Sequence, residues 1–124
     1  MNKILIYAAY GWLTFSGTMH ILIDVVSQYF RNTRVPSAET TLYWGLNIAY
    51  GMGQIIFGVF ALLVARYAFG ILKKLPTIAL SYLAAGAWLV FGHFFIEYRQ
   101  PQNMVFIFIA LHTTATISAK YVHR

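Results

Sequence analysis

Two histidines in this chain stand four residues ahead of a carboxylate, each inside a long apolar run. The first lies in Gly17-Thr18-Met19-His20-Ile21-Leu22-Ile23-Asp24, the second in Gly92-His93-Phe94-Phe95-Ile96-Glu97. On a helix this spacing stacks both side chains on one face, about 6 Å apart along the axis. A histidine beside a carboxylate can titrate near neutral pH and pass a proton. It can also ligate a metal, or belong to a polar network that fixes helix register. Ionisable groups inside apolar segments are costly, and their default reading is functional.

Other polar residues fall at compatible positions. Asn47, Tyr50 and Gln54 lie at i, i+3 and i+7 of the second apolar run and share one face. Amides in such a run should face protein or water, because exposing them to lipid is costly. His112 sits in the fourth run. The candidate ligand-binding set is therefore His20, Asp24, Asn47, Tyr50, Gln54, His93, Glu97 and His112. Three chemistries fit it. His20, His93 and His112, with the carboxylates, could hold a transition metal. His20 and His93, with Gly17 and Gly92 beside them, could be axial ligands of a b-type haem, although a carboxylate one turn from each would crowd the rim. A small amphiphile, such as a quinone or a lipid headgroup, could bind with Asn47, Tyr50 and Gln54 on the pocket wall.

The elements that must position these residues follow from hydropathy. The chain has 124 residues, 60% hydrophobic and 10% charged. A soluble domain carries about 25% charged residues, so most of this chain should be solvated by lipid. Apolar runs at about 4–26, 42–65, 77–96 and 104–119 predict four transmembrane helices across a hydrocarbon core of about 30 Å. The expected fold is a single-domain, all-α transmembrane four-helix bundle with short loops. Gly45, Ala49 and Gly53, with Gly51, Gly58 and Ala61, supply small positions for close helix packing. The N-terminal run is too long for a signal-peptide core and has no clear cleavage site, so it reads as a retained helix.

Charge sets the orientation. Lys3, Arg66, Lys73, Lys74, Lys120 and Arg124 fall on one side with no acidic residue. Arg31, Arg34 and Arg99 fall on the other with Asp24, Glu39 and Glu97. The positive-inside rule puts both termini in the cytoplasm of a multi-pass protein of the bacterial inner membrane. It also accounts for the formal charge of +6 without nucleic acid as a partner. In that topology both His/carboxylate pairs lie near the outer ends of outward-running helices. A faint repeat at an offset of 73 residues matches His20 with His93, Ile23 with Ile96 and Asp24 with Glu97. The absence of cysteine removes disulfides, thiolate metal sites and cysteine nucleophiles. No P-loop, serine-hydrolase elbow or H-E-x-x-H motif occurs.

The pattern Gly11…Gly17-Thr18-Met19-His20, with Tyr43-Trp44-Gly45-Leu46-Asn47…Gly53-Gln54…Phe57-Gly58, resembles the DoxX-like group of small four-helix bacterial membrane proteins. The resemblance implies a four-helix bundle with termini inside. Some members of the group are accessory to membrane redox systems. The sequence as a whole points to a non-enzymatic membrane protein that binds a small ligand or serves as an accessory subunit of a membrane complex. The alternatives are a haem- or metal-binding redox subunit and a minimal transporter. Such a transporter would have to form a homo-oligomer to build a pathway.

Overall fold

Each long helix begins where the sequence can satisfy its first free N–H groups or dispense with one. The computed structural model describes residues 1–118. Helix α1 (Lys3–His20) is capped by Asn2, whose Oδ1 accepts from the N–H groups of Ile4 and Leu5 at 3.0 and 3.3 Å. It runs directly into a π-helical segment, Ile21–Val26, and a last α-turn, α2 (Ser27–Phe30). A turn with Asn32 in the left-handed region (φ 51°) follows. Ser37 then caps α3 (Ala38–Tyr67), its Oγ accepting from Thr40 N–H at 3.1 Å. A short turn, α4 (Phe69–Leu72), leads to α5 (Leu75–Phe95) and α6 (Gln100–Ile117), each with a proline in its first turn. The described residues are helical and turn structure, with no strand.

In space the long helices run α3, α1, α6, α5. Helix α1 packs along both α3 and α6, α6 packs on α5, and α3 meets α5 at a wider spacing through aromatic side chains, Tyr50 on Phe91 and Phe57 on Trp88. The core gathers Ile6, Ala9, Tyr10 and Leu13 of α1, Ala61 and Ala65 of α3, Ala85 of α5, and Val105, Phe108 and Ala115 of α6. Between α3 and α5 an apolar cavity of about 230 Å³ opens beside Phe57, Leu72, Leu80 and Ser81. The two ends of the bundle carry different charges, as expected. At one end Lys3 and Lys73 both lie over the Phe69 ring, and Asn2 N–H donates to Ala115 O. At the other, Arg34 meets Glu97. Lys120, His123 and Arg124, which enter the charge count or end the chain, lie outside the described residues.

Boundaries shift in three informative places. The first run does not stop at Val26 but continues helically to Phe30. The fourth helix starts at Gln100, because Pro101 fits a first helical turn that needs no N–H there. The third helix ends at Phe95, with Ile96 extended (φ −112°, ψ 126°). Helices α3 and α5 are long and apolar enough to cross a membrane, whereas α1 and α6, each 18 residues, are interrupted by too many polar side chains to meet the same measure.

The glycines that matter for packing are not the 45/49/53 series. A Cβ on Gly17 would meet Gly51 O at 2.6 Å, and one on Gly51 would meet Gly17 O at 2.9 Å. Gly58 lies against Thr14 and the Tyr10 carbonyl. Gly45 has nothing within 4 Å, and Ala49 is exposed. Backbone cannot yield as a side-chain tip can. Gly17→Ala should therefore destabilise the bundle by about 1–3 kcal/mol, whereas Gly45→Ala should be neutral or mildly stabilising. Thermal unfolding of both variants in one detergent checks this, and equal midpoints would refute the α1–α3 contact.

Candidate functional site

The π-helical segment sets the site. A π turn makes i→i+5 hydrogen bonds and is often found at functional positions. Here Ser27 N–H reaches back to Leu22 O across it. Within this wide turn Asp24 Oδ2 lies 2.8 Å from His20 Nδ1. The contact is close but off the line of a straight N–H···O bond, so His20 has no well-aligned partner on either ring nitrogen. The imidazole is buried, its edge against the Tyr50 ring at 5.0 Å between centroids. Tyr50 in turn stacks on Phe91 and donates from its hydroxyl to Pro101 O at 3.4 Å. Thus α1, the π segment, α3 and the start of α6 meet around one polar point.

A half-open cavity of about 40 Å³ lies there. His20, Asp24, Tyr50 and Ser16 form its polar wall, and Met19, Ile23 and Met104 its apolar one. The space holds water or a headgroup of a few heavy atoms, not a macrocycle. Gln54 is fully buried with both amide atoms unpartnered, and a Cβ on Gly17 would lie 2.9 Å from its Cβ. Asn47 is equally buried. Its Nδ2 donates to Tyr43 O at 2.9 Å, and its Oδ1 has no partner. Asn47, Tyr50 and Gln54 thus share the inward face of α3, as their spacing requires.

The second His/carboxylate pair does not form. Because α5 stops at Phe95, Glu97 is no longer one helical turn from His93. His93 is exposed beside Phe94, at 5.0 Å between ring centroids. Glu97 instead meets Arg34 through both carboxylate oxygens at 3.2 and 3.3 Å, and that guanidinium lies 3.4 Å from the Tyr43 ring centroid. The 73-residue repeat therefore has no structural counterpart at these positions. His112 belongs elsewhere too. It is buried on α6, and Tyr10 Oη lies 3.2 Å from its Nε2 and 2.7 Å from Ser81 Oγ. Ser81 gives its proton to Thr77 O, so Tyr10 donates to Ser81 and His112 Nε2–H donates to Tyr10. This chain is closed except at His112 Nδ1.

Metal chemistry is not supported by this arrangement. Among the described residues no three histidine or carboxylate side chains converge as a ligand group. His20, His93 and His112 lie in three different environments. Nor do His20 and His93 flank a slot for haem, since one is packed on Tyr50 and the other faces outward.

Sequence reasoning missed Ser16, Met19, Pro101 and Met104 as lining residues, and Tyr98 as a neighbour of Asp24. Pro101 falls in what reads as a turn, and Tyr98 at the end of the third apolar run, where it reads as part of an aromatic belt. Ser16 stands four residues before His20, and that spacing was an available signal. Burial raises the Tyr98 phenol well above its ordinary 10.0, and the Asp24 carboxylate raises it further. Compared with known proteins, the chain matches no family model, no curated protein and no solved structure.

Proposed function

We propose that this chain is a four-helix integral membrane protein of the bacterial inner membrane, both termini cytoplasmic, that binds the polar head of a small ligand or amphiphile beside His20 and Asp24. Its surface supports the membrane reading. Leu42, Ile48, Met52, Ile56, Val59, Phe60 and Leu63 form an exposed stripe along α3, while Asn47, Gln54, Ser81 and His112 are buried. Along the middle of α3 the polar side chains are turned inward and the apolar ones outward, which suits lipid as the solvent. The polar residues that lower the hydropathy of α1 and α6 include Tyr10, Ser16, His20 and His112, all buried. Those four side chains point into the bundle, so they need not meet lipid. The resemblance to DoxX-like proteins accords with this architecture.

One observation carries the binding reading. A buried histidine in contact with a carboxylate lines a half-open, largely apolar cavity, with a ring nitrogen left unpartnered. A polar head fits the cavity, and a tail has Met19, Ile23 and Met104 to lie along. Service as an accessory subunit is a second reading, favoured by open space beside Gly11, Gly45 and Gly86. Among the described residues, a Cβ at those positions would meet no neighbour within 4 Å.

The absence of cysteine makes orientation directly measurable. A single cysteine at Asn32 should react with a membrane-impermeant maleimide on intact spheroplasts, and one at Lys73 only after lysis. The reverse pattern would invert the topology, and equal labelling of both would remove the spanning arrangement.

Native mass spectrometry from mild detergent tests binding. A co-purifying small-molecule adduct is expected on the parent, reduced about tenfold or more by Asp24→Asn, where a charged contact is lost. Glu97→Gln should leave it intact, because Glu97 is engaged with Arg34. Equal adducts in all three proteins, or none in the parent, would overturn the pocket.

A further inference from the structure

A larger, half-open groove of about 480 Å³, lined mostly by exposed residues, lies at the end of the bundle between the α2–α3 turn and the first turns of α3. It is separate from the His20 pocket and shares no lining residue with it. Its volume is in the range of small-molecule sites. Its chemistry can be read from which protons are already committed. Thr33 Oγ1 donates to Gln28 O, Thr40 Oγ1 to Val35 O and Thr41 Oγ1 to Ser37 O. These hydroxyls therefore offer lone pairs, not protons. Donors come from the side-chain amides of Gln28 and Asn32. The Gln28 Oε1 already accepts from Tyr43 at 3.4 Å, which turns its NH₂ to other use. Tyr29 and Trp44, edge to face at 6.2 Å, form the aromatic wall.

Charge decides the ligand class. Arg34 is the one charged side chain on the lining; its Nη2 donates to both oxygens of Glu97 and its guanidinium lies over the Tyr43 ring, so its charge is paired while its other N–H groups remain as donors. A phosphate or carboxylate would meet a cation already paired with a carboxylate. An uncharged ligand that donates and accepts several hydrogen bonds, and has an apolar C–H face for the aromatic wall, satisfies every group. We propose that this cavity binds a neutral polyhydroxylated ring, a pyranose sugar, as a free saccharide or as the headgroup of a glycolipid.

The test uses the full chain, purified in an amine-oxide detergent and moved to phosphatidylcholine nanodiscs, so that no sugar detergent competes. Maltose is titrated by calorimetry, and a monohexosyl diacylglycerol included in the nanodisc is followed by native mass spectrometry. Saturable binding of either probe is expected, weakened about tenfold by Gln28→Leu and again by Asn32→Gly. Binding of maltose supports a free saccharide, and binding of the glycolipid alone supports a membrane source. Asn32→Gly keeps its left-handed backbone unstrained, so its folding should be retained and its effect read as lost contact. Neither probe binding, variants binding as well as the parent, or glucose 6-phosphate binding more tightly than neutral sugar would overturn the proposal.

Discussion

The arrangement depends on how closely two backbones approach. At Gly17 and Gly51, α1 and α3 touch carbonyl to α-carbon, and Gly58 repeats the contact two turns along α3. For the membrane protein proposed above, helix association would rely on packing and on interhelical polar contacts, because apolar side chains gain little by leaving lipid tails for one another. Close backbone approach therefore supplies dispersion contacts along the whole interface. It also brings the polar face of α3 to α1. Tyr50 packs on His20 and Gln54 sits beside Gly17 because nothing bulkier holds the helices apart.

Polar groups inside the bundle divide into two kinds. Around Tyr10, Ser81 and His112 each donor has an acceptor, and the order of donation fixes a single histidine tautomer. Such a closed set acts as a register device, since sliding any one helix breaks several bonds together. Around His20, Asp24 and Gln54 the buried atoms outnumber their partners. Incomplete satisfaction is costly in a structure that folds alone, and it is tolerated where water or another molecule completes it. The two clusters resemble each other in composition and differ in this one respect.

Much of the fold was legible because its signals are periodic. Runs of apolar residues marked the four long helices, and i, i+3, i+7 spacing brought Asn47, Tyr50 and Gln54 to one face. The pairing of His20 with Asp24 was equally readable, since both fall on one continuous helix. The parallel inference for His93 and Glu97 failed on a single residue. Ile96 is apolar enough to extend the run, yet its backbone is extended and turns Glu97 toward Arg34. Hydropathy does not report where a helix stops when neither glycine nor proline marks the end. The small-residue stripe failed for a related reason. Periodicity identifies a face that could pack closely, but only the neighbouring helix decides whether Gly45 or Gly51 is the face used. The lining contributed by Pro101 and the neighbour Tyr98 depended on long-range packing that no local pattern encodes.

The π segment has a consequence for chain length. Ile21–Val26 closes rings one residue wider than an α-turn. Everything after it is therefore out of phase with everything before it by one position, about 100° around the axis. The wall of Gly17 and His20 and the later wall of Gln28 owe their relative direction to that offset. Loss of one residue in this stretch would let it close as ordinary α-helix with both walls still facing as they do, whereas α-turns with every residue kept would rotate one wall against the other by about 100°.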